Sequence, residues 1–85
     1  MGAYKFIDQA SQQCVWAKNA EHNGNKHHLA ILEENRRGSR VFVLTIDTFT
    51  VAVSADYGQV RAKAILAEKD SVYFAELAEG RTQWL

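Results

Sequence analysis

Arg40 to Ser54 reads RVFVLTIDTFTVAVS. Twelve of these fifteen residues are Val, Ile, Leu, Phe, Thr or Ala, and ten of the twelve are β-branched or aromatic. Such side chains lose χ1 freedom in a helix and suit a pleated, half-buried surface. The run is too long for one typical strand, and Asp47 interrupts it with turn chemistry. It therefore reads as two strands that meet at Ile46-Asp47-Thr48 in the middle of an antiparallel sheet. In the first, Val41, Val43 and Thr45 share one face and Phe42, Leu44 and Ile46 the other, so both faces are apolar. One face is expected to pack on a helix and the other on something else, such as a second subunit. The second strand alternates Phe49, Val51 and Val53 against Thr48, Thr50, Ala52 and Ser54.

Upstream, Leu29 to Glu34 is expected to pair antiparallel with Arg40 to Ile46. Asn35-Arg36-Arg37-Gly38-Ser39 between them suits a hairpin loop of four or five residues. Further back, Ile7, Ala10, Cys14 and Ala17 recur every three or four residues, a helical period. Asp8 is a suitable N-cap, and Asn23-Gly24-Asn25 a stop with Gly24 in a left-handed C-cap. Trp16 stands off that face, covering the sheet edge or left exposed. Ala3 to Ile7 suits a short strand.

Downstream, Ala55 to Gln59 reads as a turn. Val60, Ala62, Ala64 and Leu66 alternate with Arg61 and Lys63, which favours a strand over a helix for Val60 to Ala67. Val72 to Leu77 reads as a last strand or a short helix, and Trp84 in the tail is expected to pack back. The predicted fold class is α+β: an N-terminal helix packed on a four- to five-stranded, mostly antiparallel sheet, in a single domain over residues 1–85.

Eighty-five residues provide one core and bury only about 60–65% of the unfolded surface, so stability is marginal without further support. Cys14 is the only cysteine, so no intrachain disulfide forms, which fits a reducing, cytoplasmic setting. Ten Lys and Arg balance ten Asp and Glu. A neutral chain has no large field to steer it onto nucleic acid or an anionic membrane. No apolar run approaches the length of a membrane span, and the opening MGAYKFIDQASQQ lacks the pattern of a signal peptide. Met1-Gly2 fails the myristoylation motif because Phe6 stands where Ser or Thr is needed.

Few residues suggest chemistry. Cys14 with one of His22, His27 and His28 would make a small Cys/His enzyme if thiol and imidazole met. The helical stripe instead places Cys14 in the core. The three histidines have no standard zinc spacing and read as a solvated loop cluster, so no metal site is expected. Nucleotide-loop, metalloprotease and hydrolase-elbow motifs are absent, and no cofactor is implied. Arg36, Arg37 and Arg40 form the one basic patch, partly cancelled by Glu33 and Glu34.

The expected function is therefore a small non-enzymatic protein-binding module. On base rates it would be a regulator or inhibitor of a larger complex, of the accessory kind that phages and mobile elements carry. Arg36, Arg37, Arg40 and Trp16 are the candidate partner-binding residues. Phe49, Val51 and Val53 are the candidates for self-association as a homodimer, since an uncharged β-rich run is hazardous as an open edge. The alternative, a nucleic-acid-binding domain, would use the basic hairpin Arg36–Arg40.

Overall fold

The computed structural model describes residues 12–85. Its described residues form four antiparallel strands, two helices and a short final strand. The strands are β1 (Gln12–His22), β2 (Asn25–Arg36), β3 (Ser39–Ile46) and β4 (Phe49–Ser54). The helices α1 (Tyr57–Lys69) and α2 (Ser71–Glu79) follow, then β5 (Gln83–Trp84). The sheet order is β1-β2-β3-β4-β5, antiparallel throughout except for the parallel β4–β5 pair. The α+β class stands, but the order is corrected: the helices that cover the sheet follow β4.

The expected helix from Asp8 to His22 is overturned over Gln12–His22, which is strand; Asp8, Ala10 and the opening Ala3–Ile7 lie outside the described residues. A bulge between Cys14 and Trp16 hides the period of two. Beyond it Trp16, Lys18, Ala20 and His22 fall on one face. Trp16 packs on the core, and Ala20 and His22 are buried. Cys14 lies on the opposite face and is exposed, so its expected burial is also corrected. The three-to-four spacing was coincidental.

The expected pairing of Leu29–Glu34 with Arg40–Ile46 is found, with Leu29 opposite Ile46 and Glu34 opposite Val41. The loop between them is tighter than expected. All three antiparallel connections are two-residue turns with positive φ at both positions: Asn23-Gly24 (54°, 81°), Arg37-Gly38 (52°, 82°) and Asp47-Thr48 (50°, 75°). This is the type I′ geometry, whose twist matches that of the flanking strands.

The strand reading of Val60–Ala67 is overturned. Asp56 caps α1 by accepting from Gly58 N–H at 2.8 Å. The buried positions Val60, Ala64 and Ala67 repeat at helical spacing, while Ala62 and Leu66 are exposed. Asp70 then serves both helices. Its N–H closes α1 on Leu66 O at 2.9 Å, and its carboxylate accepts from Val72 and Tyr73 N–H at 2.9 and 3.1 Å. Two helices thus follow each other with one extended residue, Asp70, between them.

Leu29, Ile31, Phe42, Leu44 and Ile46 meet Val60, Ala64, Ala67, Phe74 and Leu77 in one core. Each fully buried Leu or Ile there contributes about 1.5–3 kcal/mol by leaving water. On the opposite face Ala30, Val43 and Val53 are also buried within the single chain. β5 covers part of the outer side of β4: Leu85 N–H donates to Val53 O at 2.8 Å and Thr82 Oγ1 to Thr50 O at 2.9 Å. Trp84 does not pack back as expected; it is 71% exposed, with the Arg36 guanidinium 5.7 Å from its ring centroid. Among the described residues no helix is long and apolar enough to cross a membrane.

Candidate functional site

The turns Asn23-Gly24 and Asp47-Thr48 lie at the same end of the sheet, which Phe74 and Ala78 of α2 reach. Asp47-Thr48 is the unusual one, because both residues have positive φ and neither is glycine. A β-branched side chain at φ 75° crowds its own backbone. The Asp47 carboxylate holds the turn against β2. Oδ1 accepts from His28 N–H at 2.9 Å and Oδ2 from His27 Nδ1 at 2.6 Å, while Asp47 N–H donates to His28 O at 2.8 Å. The side-chain bond from His27 and the backbone bond from His28 hold the Asp47 carboxyl below its ordinary value of 3.8. The His27 contact becomes an ion pair whenever the imidazole is protonated.

The clamp fixes the residue that follows. Phe49 is 74% exposed at the start of β4. Beside it opens a cleft of about 160 Å³, lined by His27, Ile46, Asp47, Phe49, Val51, Phe74 and Ala78. Most of that lining is hydrocarbon or aromatic ring. Phe74 forms the floor through its contacts with His27 (centroids 4.7 Å apart) and His22 (4.4 Å, stacked). The arrangement joins an exposed aromatic side chain, an apolar recess and one carboxylate on a rigid turn.

The histidines do not form the expected solvated loop cluster. His22 is buried: Nε2 donates to Ala67 O at 2.9 Å, and Nδ1 shares a hydrogen bond with Ser71 Oγ at 2.7 Å. This ties the end of β1 to the start of α2. His27 belongs to the clamp. His28 points to the opposite face and meets Asn19 Oδ1 at 3.1 Å. Among the described residues no three His, Cys, Asp or Glu side chains gather as metal ligands would. Cys14 sits six residues along β1 from Ala20, the partner of His27, or about 20 Å of strand. The Cys–His pair of the enzyme alternative is not brought together.

The other sequence candidates are dispersed. Arg36 and Arg40 lie on opposite faces of the sheet and pair with Glu34 (2.9 Å) and Glu33 (3.2 Å), while Arg37 occupies the turn. Trp16 is half-buried against the core at the far edge. Of Phe49, Val51 and Val53, the last two are already buried at 4% and 2% exposure, so Phe49 alone offers new area to a partner. Sequence reasoning missed His27 and Asp47 as a pair. Their one signal was Asp47 interrupting an apolar run. No family model, no curated protein and no solved structure matches this chain.

Proposed function

We propose that this chain is a non-enzymatic protein-binding module, a regulator or inhibitor of a larger complex, and that it docks through the end of the sheet that carries Phe49. The observation that supports this is a phenyl ring held in solvent by a clamped turn next to an open apolar cleft. Interface hot spots combine such aromatic anchors with a recess that desolvates them. Two partially exposed walls, Phe49 and Ala78, make the surface continuous across β4 and α2. Immobilised wild-type chain and a Phe49→Asp variant, compared in a lysate of the source cell, test the reading. The variant should keep a folded amide spectrum and lose the retained partner. Equal retention by the two proteins would refute docking at Phe49.

A second reading, nucleic-acid binding by the Arg36–Arg40 hairpin, is favoured by one observation. Trp84 is exposed beside Arg36, and aromatic rings near cations serve as stacking platforms for bases. The ion pairs of Arg36 and Arg40 with Glu34 and Glu33 weigh against it. Quenching of tryptophan fluorescence by single-stranded oligonucleotide, relieved steeply by salt, would establish it in place of the first.

A further inference from the structure

The cleft beside Asp47 has walls of hydrocarbon and ring, yet its fixed charge is a carboxylate. We propose that it takes the side chain of a lysine or arginine presented by a partner protein, with the alkyl stem against the exposed walls Phe49 and Ala78 and the cationic head at Asp47. The inference rests on the protein-binding reading and names the partner's chemistry.

Size fits one side chain. The cleft's 160 Å³ is close to the volume of about 150 Å³ that accommodates benzene in a protein cavity. A chain segment would not enter; a single stem would. Charge selects which stem. The two bonds that Asp47 accepts from the protein occupy two of roughly four lone-pair positions of a carboxylate, so acceptor capacity remains. Ala78, in the last turn of α2, brings the helix C-terminus to the cleft, and such an end carries about half a negative charge. α2 also bears Glu76 and Glu79 and no basic residue. Among the lining residues His27 alone can become cationic, and its Nδ1 is already bonded to Asp47. An acidic side chain would be repelled. A purely apolar one would strip water from the carboxylate and return no hydrogen bond. Lysine and arginine satisfy both requirements, because their stems lie along apolar surface while their heads stay polar. The exposed Phe49 ring adds attraction for a cation within about 6 Å of its centroid.

Three probes of matched length test this on ¹⁵N-labelled protein at constant ionic strength: n-butylammonium chloride, 1-butanol and sodium butyrate. Butylammonium should shift the amides of Asp47, Thr48, Phe49, Val51 and Phe74. It should bind about fivefold more tightly than the alcohol, the scale of one partly exposed charge contact, and butyrate should leave these amides unmoved. Asp47→Asn should lower the response to butylammonium to that of 1-butanol. Equal response to cation and alcohol in the wild-type protein, a stronger response to butyrate, or no response at these amides would overturn the proposal. The wild-type comparison decides alone if Asp47→Asn does not fold. Each of these failures leaves docking at Phe49 to be judged separately by the Phe49→Asp retention test.

Discussion

Replacing Thr48 with glycine should stabilise this protein. Thr48 sits at φ 75°, and its side chain is exposed. The left-handed region costs an L-residue roughly 1–2 kcal/mol, and branching at Cβ places threonine toward the upper end. Glycine removes that cost but loses about 0.5–1 kcal/mol through the greater freedom of its unfolded chain. The difference leaves Thr48→Gly more stable by about 0.5–1 kcal/mol. In a domain of this size that raises Tm by about 3–6 °C. Thr48→Ala keeps a Cβ and should move stability by less than about 0.5 kcal/mol. The reciprocal change sharpens the test. A Cβ added at Gly38, φ 82°, meets nothing within 4 Å, so Gly38→Thr isolates the backbone cost. It should destabilise by about the amount that Thr48→Gly gains. Urea midpoints and thermal melts of the three variants read these differences directly. A Thr48→Gly protein no more stable than wild type, beside a destabilised Gly38→Thr, would show that Thr48 earns its place through a side-chain interaction rather than enduring strain.

Asp70→Ala should cost about 1 kcal/mol in urea unfolding, because it removes the acceptor for two N–H groups at the start of α2, and Asp70→Asn should restore most of it. His22→Ala should cost about 2–4 kcal/mol, since it vacates a ring stacked on Phe74 and leaves Ala67 O unpaired; Ser71→Ala, which removes only one hydrogen bond, should cost about 1 kcal/mol. Because the folded Asp47 carboxyl titrates below its ordinary value, its contribution is fully present above pH 3.8 and is lost as pH falls through the lower folded-state value. Asp47→Asn should therefore show a smaller loss of urea midpoint than wild type on acidification through that range. Parallel acid profiles for the two proteins would contradict the clamp.

The centre of the sheet was legible because Arg40–Ser54 combines β-branched composition with a period of two and one polar break. The β2–β3 pairing was legible from the polar, Gly38-containing stretch between two apolar runs, but its register was not, because a two-residue turn stands where a loop of four or five residues was expected. β1 was misread because its bulge at Val15 breaks the alternation, and the polar residues Lys18 and Asn19 dilute what remains. Asn23-Gly24 was ambiguous for a physical reason: the left-handed geometry that ends a helix is also the geometry of a type I′ turn. α1 was misread because its buried stripe is two alanines and one valine, a weak apolar signal, while Leu66 points outward. The candidate site depends on that placement. Phe74 and Ala78 reach the cleft only because Asp70 ends α1 and starts α2. Nothing local in the sequence brings them to Asp47.

The position of β5 bears on how the chain survives its own synthesis. β1 to β4 pair only with sequence neighbours across two-residue turns, so the ribbon can zip up as each strand appears, at little loop-closure cost. Its last strand is closed by a segment much further along, as the Thr50–Thr82 contact spans 32 residues. Until that segment arrives, Val51-Ala52-Val53 presents an uncharged edge to any other nascent ribbon. Residues 82–85, though exposed, thus cover this edge of β4. Their loss would show as concentration-dependent aggregation during refolding rather than as a missing core.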